Sequence, residues 1–553
     1  MSSLSIGSSY RQYPVEERYD AIVIGSGMGG LTAAVLLARH GHRRVLVLER
    51  HFTAGGFTHV FRRPGFEWDV GVHYIGEVHN PKSWIHAVFE HITDGNLRWA
   101  QMPDVYDRFV FDDARYDMPT GRERLAEALK GYFPREAKAI DRYLDLVRST
   151  AKAAAAYFAA GAMPKSLEFF FGGWMRHAFL AQARRTTESV VADLTGDPGL
   201  RSLLCCQWGD YGVPPAQSSF GMHALLVNSY LRGAAYPVGG ASRIAAAIAP
   251  AIEAAGGRIA TSAEVSQILV DRSGRAIGVR IRDGREILAP VIVSDAGATA
   301  TYRRLLPQGT PGLVRAEQML APLVPSPAHL CLYLGFRKSD AELGLSGTNW
   351  WLFSSRDHGA ALARLEADRR QPLAEVFVSF PSAKDPTFSE RYPGRSTAEA
   401  IALVPYRWFA PWEGEAWKKR GAEYEALKQE MQERLLGAVE RCAPGVSQHL
   451  AHCELSTPLS TRHFTAHDQG EIYGLAATPA RFISKLGPRT PVRGLYLAGQ
   501  DAGTTGVLGA LFGGVLAASA VLNRNLIAKI RNQAHISARF EPTPLPTPRA
   551  RAA

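Results

Sequence analysis

Apolar runs without polar interruption mark the clearest elements of this chain. Asp20 to Ile24 (DAIVI) is one, as a parallel strand covered on both faces requires, and it enters Gly25-Ser26-Gly27-Met28-Gly29-Gly30 directly. Leu31 to Ala38 (LTAAVLLA) is rich in helix formers, Gly41 can end that helix, and Val45 to Leu48 (VLVL) reads as a second buried strand closed by Glu49. A strand, turn, helix and strand are complete within about thirty residues.

From about Pro81 to Phe220 the pattern predicts helices with frequent aromatics, a helical cap. Within Ala151 to Arg185, Tyr157, Phe158, Phe169, Phe170, Phe171, Trp174 and Phe179 mingle with Lys152, Lys165, Arg176, Arg184 and Arg185. That mixture suits a membrane interface or a packed cap, and both hold if the cap forms the mouth of a lipid tunnel. Near Tyr236-Pro237-Val238-Gly239-Gly240 the chain returns to the first lobe, with a helix over 243–255, strands over 258–270 and a hairpin over 276–288 about Asp283-Gly284. Val291 to Ser294 is another buried strand, closed by Asp295-Ala296-Gly297. Alternating runs at 329–335 and 374–380, with a helix over 423–441, predict a second lobe on an antiparallel sheet. No internal repeat is present.

These patterns divide the chain into a leader (1–18), a dinucleotide domain in three parts (19–80, 221–300 and 486–532), a cap and substrate domain in two parts (81–220 and 301–485), and a tail (533–553). The tail carries Pro542, Pro544, Pro546 and Pro548, has no core-forming pattern and reads as disordered.

Composition narrows the class. The chain has 553 residues, 46% hydrophobic and 21% charged, with 52 Gly and 33 Pro, which excludes collagen, coiled coil and wholesale disorder. Its five cysteines include the adjacent Cys205 and Cys206 but no C-x-x-C spacing, so a reducing compartment and no metal are expected. A net charge of +11 favours anionic surfaces or acidic ligands, and the absence of a lysine-rich block argues against nucleic acid. Residues 1–19 are polar and mixed in charge, unlike a secretory signal or transit peptide, so a cytoplasmic location is expected, with peripheral membrane contact as an open addition. Ala502 to Leu522 is uncharged and long enough to span a bilayer, yet its Gly503, Gly506, Gly509, Gly513 and Gly514 suit a buried helix at a cofactor.

Gly25, Gly27 and Gly30 have separate tasks in a dinucleotide turn: the tight bend, backbone approach to a diphosphate, and close packing of helix on strand. Ser26, Met28 and Gly29 complete the loop, whose phosphates would sit at the helix N-terminus. Glu49 ends the second strand, the place for a carboxylate that binds a ribose diol, while neighbouring Arg50 leaves a 2′-phosphate open.

Beyond Glu49, the Arg50-His51-Phe52-Thr53-Ala54-Gly55-Gly56 stretch resembles the downstream Gly-Gly of flavoproteins in the amine oxidase and phytoene desaturase superfamily. Gly494-Leu495-Tyr496-Leu497-Ala498-Gly499-Gln500-Asp501, followed by a glycine-rich helix from Gly506, is similar to that superfamily's second cofactor motif. Phe66-Glu67-Trp68-Asp69-Val70-Gly71-Val72-His73-Tyr74-Ile75-Gly76 resembles retinol saturases and carotenoid isomerases, with further echoes at Thr457-Pro458-Leu459-Ser460 and Gly470 to Gly474. Gly55-Gly56-Phe57-Thr58 departs from the cysteines expected there in animal retinol saturases, and the resemblance does not fix the substrate.

The resemblance implies an α/β fold, a Rossmann-type FAD-binding domain of the GR2-like kind with a mixed α+β substrate domain and a helical cap. It implies FAD as cofactor, with Asp501 on the ribityl chain and Phe57, Val265, Gly499, Gly506 and Val507 as further contacts. It implies redox or isomerising chemistry on a double bond of a hydrophobic polyene or isoprenoid lipid, through hydride transfer at flavin N5 with an undefined redox partner. Saturation needs an acid as well, for which His73 and Tyr74 lead and Tyr473 and Glu471 follow. The alternatives are a non-catalytic lipid or prenyl-protein binder on the same fold, as Rab GDP-dissociation inhibitors exemplify, and a flavin amine oxidase.

Overall fold

Short buried strands form the scaffold of the computed structural model, which describes residues 5–163 and 165–537. Ala21–Ile24 and Val45–Leu48 are buried throughout and pair in parallel, joined by the helix Met28–Gly41. Ile292–Ser294 pairs with Ala21–Ile24, Leu495–Leu497 with Ile292–Ser294, and Arg258–Thr261 with Val45–Leu48, all in parallel. Ser8–Ser9 adds an edge strand beside Arg258–Thr261, and Ile6, Tyr10 and Val15 are buried, so the stretch read as a leader is part of the dinucleotide lobe. Strands this short, apolar on both faces, are stable only when helices cover both sides of the sheet.

A seven-stranded sheet builds the second lobe, in the order Leu450–Ser456, Ala328–Phe336, Ser396–Val404, Glu375–Ser379, Asn349–Phe353, Val105–Val110 and Arg115–Pro119. Its pairs are antiparallel except that Val105–Val110 runs parallel to Asn349–Phe353. The last two strands and Trp99–Gln101 lie in the region that sequence patterning assigns to helices. Asp107, Arg108, Asp117 and Arg115 break their apolar pattern, yet Asp107 is buried in the sheet and Arg108 pairs with Asp117 across it.

The helices Ala137–Ala162, Lys165–Ala183 and Phe220–Tyr230 cap this lobe, and Tyr143, Phe179 and Phe220 share one core with Phe109, Trp351 and Phe353 of the sheet. A final helix, Leu526–Ser537, runs into the stretch read as tail; the remainder of that stretch lies outside the described residues.

The uncharged segment before it is the helix Gly506–Leu522, buried against Met28–Gly41 rather than exposed. Among the described residues, no single helix is long and apolar enough to cross a membrane. The two helices meet without side chains between them: a Cβ on Gly514 would collide with the carbonyl of Gly29. Gly514→Val should therefore lower stability by about 1–3 kcal/mol or more, because neither backbone can give way. Gly437→Ala, in open space on the helix Gly421–Cys442, should instead raise the melting temperature. Equal thermal melts of the Gly514→Val variant and the parent would contradict this packing.

Candidate active site

One cavity of about 1040 Å³ runs between the two lobes, at the upper end of the range for ligand pockets. Its first end is the turn after Ala21–Ile24. Gly25, Ser26, Gly27 and Met28 line it, with Glu49, Arg50, Gly56, Phe57 and Val265. Asp501, Gly506, Val507 and Tyr473 line it further along. Gly29, Gly30, Gly55 and Gly499 are not in the wall but let it close: a Cβ on Gly29 would strike Gly499, and one on Gly30 the carbonyl of Gly25.

The geometry of the turn fits a dinucleotide. Gly25 has φ +94°, a conformation that side chains strain to adopt, and Gly27 caps the helix with no side chain to close its amides. Glu49 Oε2 accepts hydrogen bonds from the Ser26 amide at 2.9 Å and the Ser26 hydroxyl at 2.6 Å, and Oε1 accepts from the His51 amide at 2.7 Å. The carboxylate is thereby held at the cavity wall with lone pairs to spare. Arg50 Nη1 lines the same end and is buried with no partner, a donor awaiting a ligand acceptor.

A second helix end faces the cavity from the far termini of the chain. Gly506 begins Gly506–Leu522 at φ +82°, with no cap from Thr505 and open space where a Cβ would be. Asp501 beside it ties three segments together: Oδ1 accepts from the Leu475 amide at 3.0 Å and Oδ2 from the Ala298 amide at 2.7 Å.

Of the four acid candidates, only Tyr473 reaches the cavity wall. His73 lies behind it, its Nδ1 2.9 Å from Glu399 Oε2 but too oblique for a hydrogen bond, and its ring packs on Phe377. Burial and nearby Lys384 push its pKa down to about 3, so His73 is neutral. Tyr74 is buried, stacked on Tyr230, with its hydroxyl between Asp107 and Asp210. Glu471 borders a small side pocket, where its carboxylate accepts from the Gln469 amide. Burial, then Asp210 and Glu375, raise the pKa of Tyr473, so its hydroxyl keeps its proton.

Several residues at the site carry no local motif. The Asp295 carboxylate lies against Gly27, Gly29, Gly30 and Gly499, where only glycine leaves room for it. His329 and Tyr333 line the cavity from the strand Ala328–Phe336, on one face by their even spacing. Their signal is a polar residue in an otherwise apolar strand. Burial, then His73, push the pKa of His329 down to about 4, and its Nδ1 is buried without a partner.

A parallel-sheet domain with a glycine turn, a carboxylate held at the end of the next strand and a second glycine helix facing one cavity defines a dinucleotide-dependent oxidoreductase. The chain belongs to the flavin-containing amine oxidoreductase family, whose pattern matches residues 28–522, and its cofactor is FAD. It is 37% identical over 533 residues to an all-trans-retinol 13,14-reductase of Danio rerio, covering 93% of this chain and 87% of that protein. It is 28% identical over 524 residues to a prolycopene isomerase of Arabidopsis thaliana, covering 92% and 83%. The fold is that of solved putrescine oxidase, at 16% identity and TM-score 0.60 over 92% of this chain and 99% of that one.

Asp295 makes the turn sensitive to pH. Burial, with Glu49 and Asp501 adding to it, raises its pKa from 3.8 to about 7, while the Gly30 and Gly27 amides oppose the rise. The folded state therefore binds this proton more tightly than the unfolded chain, and the group's contribution to stability falls as pH rises from 3.8 to about 7. In the apoprotein, Asp295→Asn should shrink the drop in melting temperature between about pH 5 and about pH 8. An unchanged drop would remove Asp295 from the balance.

Proposed function

We propose that this chain uses FAD to reduce a conjugated carbon–carbon double bond in a retinoid-like or carotenoid-like lipid. The observation that carries this reading is the continuity of the cavity, from the dinucleotide turn to the side of the seven-stranded sheet. Phe57, Phe61, Val70, Tyr333 and Ile472 give its wall an apolar lining suited to a polyene chain. The names of the two curated relatives, a reductase and an isomerase of polyenes, support the same substrate class.

When bound, FAD supplies the means to give or take a hydride. The residues of the chain do the rest. In this reading the turn from Gly25 to Gly30 and the helix end behind it receive the diphosphate, while Glu49, Arg50 and Val265 hold the adenosine. Gly55, Gly56 and Phe57 pass along the cofactor, and Gly499, Asp501, Gly506 and Val507 hold the flavin end. Apolar walls align the lipid and exclude water. Tyr473 lines the cavity with an un-ionised hydroxyl that donates to the Gly209 carbonyl, and by turning from that carbonyl it would give a proton to a carbon atom. His73 and Tyr74 act from behind it as positioning residues, and Glu471 is bonded within its own loop.

Holoprotein reduced without air and mixed with all-trans-retinol should yield a product heavier by two hydrogens, read by mass spectrometry. A product of unchanged mass and altered absorption would replace reduction by isomerisation. Peroxide released on adding amines would point to an amine oxidase, and no turnover of any polyene would favour a binding role.

The same reading includes contact with a membrane surface. On the helix Lys165–Ala183, Leu167, Phe170, Phe171 and Trp174 share one exposed face, flanked by Phe169, with Trp174 82% and Phe169 83% exposed. Ile483, also exposed, ends a short helix packed on it. Exposed Lys152, Arg184 and Lys485 on adjoining segments match anionic headgroups, in a chain of net charge +11. The protein should float with phosphatidylserine-containing vesicles at low salt, and Phe170→Glu with Trp174→Glu should abolish this. Pelleting of the parent protein without lipid would overturn the assignment.

A further inference from the structure

Behind Tyr473 lies a cluster of carboxyl groups, Asp107 and Glu375 buried and Asp210 half-buried, whose hydrogen bonds do not balance unless one of them keeps a proton. The reasoning starts at Lys384, which is buried and can only donate: its Nζ bonds the His73 carbonyl at 2.8 Å, Ser379 Oγ at 2.7 Å and Asn349 Oδ1. That contact fixes the Asn349 amide, whose Nδ2 donates to Asp107 Oδ1 at 3.0 Å. The Tyr74 hydroxyl then sits 3.1 Å from Asp107 Oδ2 and 2.9 Å from Asp210 Oδ2. It has a single proton for two carboxyl groups. One of the two carboxyl groups therefore keeps a proton, and because burial, with Asp107 close by, raises Asp210 further than burial raises Asp107, that proton lies on Asp210.

A second carboxyl group adjoins the first. Glu375 is 6% exposed and packs so tightly on Gly209 that no other residue would fit there, while its Oε2 is buried without a partner. Gly209 and Asp210 belong to the turn Cys206–Tyr211, and the Gly209 carbonyl accepts from the Tyr473 hydroxyl at 3.4 Å. The ring of Tyr473 rests on Gly212 of the next residues. Tyr473 thus has the cavity on one side and the acid pair on the other.

We propose that Asp210 and Glu375 form a proton store that recharges Tyr473 during reduction of the double bond. The proposal rests on the functional reading above and extends it to residues that touch neither lipid nor FAD. With FAD bound, the reduced cofactor would supply a hydride to one carbon of the double bond, and as the π bond breaks the Tyr473 hydroxyl would give its proton to the other carbon, forming the second C–H bond. The phenolate left on Tyr473 takes the proton held by the acid pair. The new carboxylate is compensated by the Lys384 ammonium and regains a proton from water between turnovers. The hydrogen bonds of Tyr74 require one proton between the two acids, and burial raises Asp210 well above the usual carboxylate range but Asp107 only to about 6.

The test uses the holoprotein with all-trans-retinol as probe. Infrared spectra at neutral pH should show a protonated carboxyl stretch that shifts in D2O and loses one component in Asp210→Asn. Asp210→Asn and Tyr473→Phe should each lower kcat by about 10²-fold, with FAD content unchanged and the KM of Asp210→Asn unchanged, and the double variant should be no slower than either. Loss of no infrared component, or a kcat unchanged by Asp210→Asn, would overturn the proposal. If Asp210→Asn fails to fold, Tyr74→Phe should move the same component by removing its hydrogen-bond acceptor, and an unmoved band is equally fatal. Failure of the parent enzyme to turn over any polyene would instead sink the functional reading, leaving the infrared component to decide the state of Asp210.

Discussion

The arrangement depends on one close approach, that of the backbones at Gly29 and Gly499. These residues stand at opposite ends of the chain and touch with no side chain between them, while the Asp295 carboxylate fills the space beside both. Three parallel strands end at this point, Ala21–Ile24, Ile292–Ser294 and Leu495–Leu497, neighbours in the sheet although distant in sequence. Their common end sets where the helix Met28–Gly41 starts and where Gly506–Leu522 must follow. Two helix N-termini consequently face one cavity, and their partial positive charges favour an anionic cofactor at both.

The dinucleotide lobe was legible in the sequence because its physics is local. A strand buried on both faces has to be uniformly apolar, the turn after it has to be glycine where φ is positive, and the acidic residue has to end the next strand. Ala21–Ile24, Gly25 and Glu49 meet those demands within one unit. The substrate lobe obeys weaker local rules. Val105–Val110 (VYDRFV) carries two charged residues in six and so reads as anything but a core strand, yet tertiary partners, Asn349 for Asp107 and Asp117 for Arg108, make those charges acceptable. Likewise no spacing rule points to Asp295, Asp107, Asp210 or Glu375. Each is a lone acid whose meaning arises from groups brought to it by distant strands.

The candidate site divides along the same line. Residues in local motifs, such as Gly25 to Met28, Asp501 and Val507, line the cavity together, whereas His73 and Tyr74 stand behind the wall and only Tyr473 of the acid candidates stands in it. The reason is strand geometry: Phe66–Asp69 packs beside the seven-stranded sheet, with Trp68 donating to the Leu334 carbonyl, and the chain beyond it turns toward Glu399 and Phe377. A segment that resembles a family motif can thus mark the support of a site rather than its surface.

That support has an electrostatic consequence. Among the described residues, Asp69, Glu399, Asp107 and Asp210 surround one buried ammonium, Lys384, and a neutral His73, with Glu375 close to Asp210. Five carboxylates against one cation would be untenable in a low-dielectric interior, since each uncompensated charge costs several kcal/mol of lost hydration. The interior can tolerate these groups only by holding most of them as neutral acids. Burial raises Glu399 and Asp69 and lowers Lys384, in each case toward the uncharged form, while the nearby carboxylates oppose the loss of charge on Lys384.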